Sequence, residues 1–211
     1  FGFKPGAAFR NVAPFRDATV REITLIQAAG GDDVVFQLEV PIPLILLTRV
    51  PSRGQALAAA RLAAEILKVV RRTRRGTRFG IHLCYGDMNH RSMAEPEDTR
   101  PAVLLANALV KQWPQAQELE FIHMPFGRGI EPPPLDGSFY AALAELRLPP
   151  EVRFAAGIVH EGRELDELRR LRNRIETLVG RPVDVAAACG LGRRDRERAV
   201  RNLALSQALA E

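Results

Sequence analysis

Five short, mostly apolar segments recur along this chain, and stretches able to form helices separate them. That alternation constrains the fold more than any other feature. The segments are "DVVFQLEV" (33–40), "RFGIHLCYG" (78–86), "ELEFIHMP" (118–125), "VRFAAGIVHEG" (152–162) and "VDVAAACG" (183–190). Between and around them, 17–31, 54–72, 97–113, 136–146, 164–180 and 194–210 read as helices. Short apolar strands alternating with helices predict parallel βα units, with both faces of the sheet covered. At 211 residues without an internal repeat or a linker, the chain is expected to be one domain spanning 1–211.

Parallel α/β sheets build their sites at the C-terminal ends of their strands, and (β/α)₈ barrels do so most consistently. The chemically active residues of this chain collect there. In order they are Gln37 and Glu39, His82 and Cys84, His123, His160 and Cys189, with His90 in the loop after the second strand. His82 and Cys84 stand two apart on one strand, so their side chains project from the same face, about 6.5–7 Å apart along it. An imidazole and a sulfur so placed suit one metal ion, and they equally suit a hydrogen-bonded core histidine beside a small buried thiol. Cys189, at a distant strand end before a Gly-x-Gly turn, strengthens the metal reading. Two thiolates with one or two imidazoles favour zinc, so His82, Cys84 and Cys189 are the candidate ligands, with His123 or a substrate as the fourth.

Charge and composition remove other classes. The net charge is +5, yet only three of the 30 basic residues are lysines (4, 68 and 111), a skew that looks like codon bias. The densest basic run, "RRTRRGTR" (71–78), has no aromatic residue for stacking bases and precedes a strand, which places it opposite the site. No nucleic acid is therefore expected. The most apolar run, "VPIPLILLTRV", is too short and too proline-interrupted to span a bilayer. Two cysteines in separate motifs argue against a disulfide framework and for a reduced, cytoplasmic setting. The chain begins at Phe1 without a methionine, which allows upstream sequence to be missing or removed.

"GIHLCYGD", with "AAACGLGRR" about a hundred residues later, resembles the C-terminal half of cobalamin-independent methionine synthase and its shorter relatives. More distantly it is similar to the uroporphyrinogen-decarboxylase-like corrinoid methyltransferases. "VVFQLEVP" resembles that family's Gln-x-acid-x-Pro strand, and "AAGIVHEGRE" the strand leading to its catalytic histidine; the match runs in order along nearly the whole chain. The resemblance implies a (β/α)₈ TIM-type barrel, lacking N-terminal strands because only about five are visible here. It also implies zinc, and methyl or alkyl transfer from a methyl donor to a thiol substrate. Glu39, with Gln37 beside it, would then contact the substrate, and His160 would be the catalytic histidine.

The sequence departs from that pattern at two residues. His123 stands where the family has an acidic zinc ligand, and His160 falls two residues before the family's histidine. Asp87, in the loop after His-x-Cys, is a candidate substrate contact or orienting residue, and equally a turn former. Arg193, at the start of the last helix, could dock an anionic substrate, with Arg194 beside it; solvated arginines are the plainer alternative. The other functional reading is a non-catalytic or degenerate barrel relative that binds a small molecule and uses any metal structurally. A homo-oligomer is compatible with either.

Overall fold

The computed structural model describes residues 7–211 apart from 88, 90 and 190, with side chains from residue 12 onward. His90 thus lies outside the described residues. The chain runs α1 (Ala7–Gly30), β1 (Val35–Val40), α2 (Pro41–Thr48), α3 (Ser52–Val70), β2 (Arg78–Leu83), α4 (Arg100–Gln112), β3 (Glu118–Pro125), a 3₁₀ segment (Gly137–Glu145), β4 (Arg153–Val159), α5 (Leu165–Val179), β5 (Asp184–Ala187) and α6 (Arg196–Ala210). All five strands are parallel and lie in sequence order, β1-β2-β3-β4-β5. Among the described residues β1 and β5 are the edges of the sheet: the five parallel strands expected are present, and they do not close into a barrel.

Sequential order has a consequence for the two faces. Right-handed crossovers between neighbouring parallel strands put every connecting helix on the same side. Burial follows that division. Phe79, Ile81 and Leu83 on β2, Ile122 and Met124 on β3, and Ala156 and Ile158 on β4 are fully buried on the helical face. On the other face Gln37 and Glu39 are exposed, and Phe121 and Ala155 are only half-buried. The exposure is confined to the β1 side: Gly80, His82, His123 and Gly157, at the centre of the same face, are buried, so that face is open toward β1 and covered in its middle.

The helices bury stripes whose spacing explains them. On α3, Ala59, Ala63, Leu67 and Val70 recur every three or four residues and are all buried. Each fully buried leucine or valine stabilises such a layer by about 1.5–3 kcal/mol. On α5, Leu168, Leu171 and Ile175 do the same. A capping box between Glu164 and Glu167 starts α5, and left-handed Gly180 ends it.

Three elements differ from the sequence reading. α1 begins at Ala7, ten residues before the expected start, and runs through Pro14. The proline-interrupted apolar run forms α2, because Pro41 and Pro43 sit in its first turn, where a missing N–H leaves no helical bond unmade. Its Leu44, Ile45 and Leu47 are buried. Residues 137–145 wind as a 3₁₀ helix, whose three-residue turn aligns Phe139 with Ala142 and Tyr140 with Leu143, all four buried. None of the helices described is long and apolar enough to cross a membrane.

The basic run before β2 is tied into the chain. Arg72 pairs with Asp17, Arg74 with Asp32 at 2.7 Å and Arg78 with Glu120 at 2.5 Å. These pairs lie at the start of β2, whereas Cys84 follows its end.

Candidate metal centre

The open inner face is built in layers by strand register. Gln37 lies level with Gly80, and Glu39 with His82. Beyond them, His82 is level with His123 on β3. Residues level with one another in parallel strands point to the same face, so Glu39, His82 and His123 form one row. Two glycines make room in these layers. A Cβ on Gly80 would meet the Phe121 ring at about 2.0 Å, and one on Gly157 would meet His123 Nε2 at 2.7 Å. The His123 ring therefore lies over β4 at a residue that has no side chain, directed toward β5.

Cys84 follows directly on β2, before Gly86 turns the chain with a φ of 73°. Cys189 follows β5 by two residues. Three strand intervals separate β2 from β5, which is about 14 Å across a flat sheet. The two sulfurs are nonetheless 3.9 Å apart. The strand ends must converge on the inner face, as they do in a barrel. The ligand atoms of His82, Cys84 and Cys189 all lie within 4.8 Å of one another.

These distances fit a tetrahedral ion. Two sulfurs bonded at about 2.3 Å with a tetrahedral angle between them stand about 3.8 Å apart. Two sulfurs and one imidazole nitrogen are the donor types that zinc takes, and three protein ligands match the pattern of sites that leave one position to a substrate or water. The metal-free thiols already share one proton: Cys84 hydrogen-bonds Cys189, and Cys189 lies lower than an ordinary thiol because of that bond and one from His82. Cys84 is held higher, by the same bond and then by burial. Cys189 is therefore the sulfur poised as a thiolate.

His123, expected as the fourth ligand, stands behind His82 and outside this group. The two Nδ1 atoms are 2.7 Å apart, and the rings stack with centroids 4.6 Å apart. Burial, and then the neighbouring His82, push His123 down to about 3. It is a neutral ring at physiological pH.

His160 is also buried, and both its nitrogens are engaged with the main chain. Nδ1 accepts from the Gly162 amide at 2.9 Å, and Nε2 is 3.1 Å from the Gly129 carbonyl, to which it donates. That fixes the tautomer and ties His160 to the loop after β3 and to its own loop. Asp87 and Arg193, expected to contact substrate, contact each other at 3.1 Å, the carboxylate buried and the guanidinium half-exposed. Glu39 and Gln37 remain exposed on the inner face beside the site.

Arg194, named from sequence only beside Arg193, turns inward toward two residues given no role there, Glu161 and Asn202. Arg194 has a fully buried side chain, and its Nε bonds Glu161 at 2.7 Å. Asn202 on α6 donates to the same carboxylate at 2.9 Å. Burial raises the Glu161 carboxyl, but the bonds from Arg194, its own amide and Asn202 outweigh it and hold the group below its ordinary value. Nothing in "GRRDRER" distinguishes the arginine that turns inward.

No family model matches this chain. No curated protein matches it either. Among solved structures it is similar to one from Listeria monocytogenes described as "Putative Vitamin-B12 Independent Methionine Synthase", at 14% identity and a TM-score of 0.46 over 90% of this chain and 68% of that one. That is a distant structural relation.

Proposed function

We propose that this chain is a zinc-dependent enzyme that transfers a methyl or alkyl group to a thiol substrate. The observation that carries the reading is the convergence of His82, Cys84 and Cys189 from β2 and the end of β5 on one point of the open face. The His-x-Cys and distant Cys motifs support it. Bound zinc would lower the pKa of a substrate thiol and hold it as the nucleophilic thiolate.

The chain's own residues prepare that site. With a metal held at Nε2, His82 would have its Nδ1–H free to donate to neutral His123, 2.7 Å away, which would orient the ring as outer partners of metal-bound histidines do. Glu39, level with His82 and exposed, is placed to accept an ammonium or hydroxyl of the substrate. Gln37, lower on the same face, offers an amide. Asp87 and Arg193 join the loop after Cys84 to the loop after Cys189 and close one side of the site. A thiol and a methyl donor are the partners this reading requires, and no nucleic acid or membrane enters it.

One observation favours the second reading, a non-catalytic relative with a structural metal: the expected catalytic histidine, His160, is locked by main-chain bonds. The deciding experiment measures metal content and then thiol methylation with a panel of N-methyl and S-methyl donors. The first reading expects one zinc per chain and methylated thiol, both lost in C84S and C189S. Zinc without any transfer would support the second reading, and a chain that takes up no zinc would end the first.

A further inference from the structure

The candidate ligand with the least strand pairing behind it is Cys189, carried in the loop that leaves the four-residue edge strand β5. Strand pairing ends at Ala187, so the ladder does not fix that loop. Something else has to hold the sulfur 3.9 Å from Cys84.

We propose that Arg194 is a positioning residue for the metal centre, acting through the main-chain carbonyl of Cys189. This rests on the reading that His82, Cys84 and Cys189 bind the metal. Arg194 Nη1 donates to the Cys189 carbonyl at 3.0 Å, and Nη2 reaches the Gly129 carbonyl at 3.5 Å. Its Nε bonds Glu161, which Asn202 also holds. Its amide closes the 3₁₀ turn at Leu191–Arg193 by bonding the Leu191 carbonyl at 3.2 Å. One guanidinium thus ties together the loops after β3, β4 and β5, and through Glu161 it reaches α6.

Burying a guanidinium is costly unless its donors find acceptors, and here each of its three nitrogens has one. The rigid fork matters as much as the charge. Its planar donors fix the angle between the Cys189 carbonyl and the Glu161 carboxylate, which a lysine could not do. The same Gly129 carbonyl accepts from His160 Nε2, so the histidine's clamped place belongs to this network. The neighbouring Arg193 points the other way, to Asp87 in the loop after Cys84. Successive arginines therefore brace the loops that carry both cysteines, and Arg194 braces the one with less ladder behind it.

The test uses cobalt(II) as a spectroscopic stand-in for zinc on the full 211-residue chain. R194K keeps the charge beside Glu161 but loses the fork. The double variant R194M/E161M removes both buried charges together and leaves neither unpaired. Both are expected to bind cobalt about 10- to 100-fold more weakly. At saturation their ligand-field bands should be altered, which a general loss of stability would not produce. Wild-type affinity and bands in both variants would overturn the proposal. If neither variant folds, N202A decides: it loosens Glu161 against Arg194 and should weaken cobalt binding about tenfold, and unchanged binding there overturns the proposal. A wild-type chain that shows no thiolate-to-cobalt band would instead end the metal reading, and the role of Arg194 with it.

Discussion

Two sulfurs 3.9 Å apart share a proton unequally: Cys84 donates to Cys189 and is the more deeply buried, and Cys189 is also held low by a bond from His82. The thiolate is the reactive form of cysteine. In metal-free protein at about pH 6, where ordinary thiols are protonated, iodoacetamide should therefore modify Cys189 well ahead of Cys84. C84A removes the S–H donor and should slow labelling of Cys189 by about tenfold or more. Peptide mass spectrometry reads both rates, and equal labelling of the two cysteines would contradict the proton assignment. The histidine pair has its own test. If His123 supports His82 from behind, H123A should keep one metal per chain and weaken it about 10- to 100-fold. Loss of stoichiometric binding would show that His123 is itself a ligand. Which ring nitrogen a histidine uses, and whether an arginine turns inward as Arg194 does and Arg193 does not, depends on neighbours distant in sequence. The spacing of residues within a strand could not show it.

The elements were more legible. The span of β3 agrees residue for residue with the sequence reading, and β2 begins where expected, because apolar runs bounded by turn residues specify strands locally. The placing of His82, Cys84 and Cys189 at one edge was legible for the same reason: parallel strands joined by helices all end on one side. What alternation could not show is which face stays open, or that Gly157 is needed beneath His123. G157A tests that element-level fit. Its methyl would lie 2.7 Å from His123 Nε2 and 2.9 Å from the Met124 carbonyl and Pro125 Cα, so β3 and β4 must part as well as the ring move. A destabilisation of about 1–3 kcal/mol is expected from such overpacking. It should be accompanied by weaker metal binding, since a displaced His123 no longer orients His82. Denaturant titration and cobalt titration measure the two effects. A stable G157A protein with wild-type affinity would show that β3, β4 and the ring adjust without cost, and that Gly157 is not needed beneath His123.

Across the whole molecule the same buried row links stability to acidity. An unfolded chain protonates His123 near the ordinary imidazole value of 6.5, whereas the folded chain resists protonation until about 3. Between those values the unfolded state binds more protons, so stability rises with pH across that window and is lost as pH falls through it. Glu161 acts in a lower window. Its carboxyl is held below its ordinary 4.5, so its contribution is complete above that value and disappears only in stronger acid. Acid should therefore destabilise the metal-free protein in two stages, the first beginning well above the carboxylate range. Chelator-treated protein keeps metal release out of the measurement. In it, the denaturant midpoint of wild type should fall steadily from about pH 7 to about pH 5, and that of H123Q should fall less steeply. E161Q should match wild type in slope over this range and diverge only below it. Parallel slopes for wild type and H123Q would mean that the folded chain accommodates a charged His123, by opening the layer between β3 and β4. The ring would then be a loose occupant of the inner face rather than a fixed support for His82.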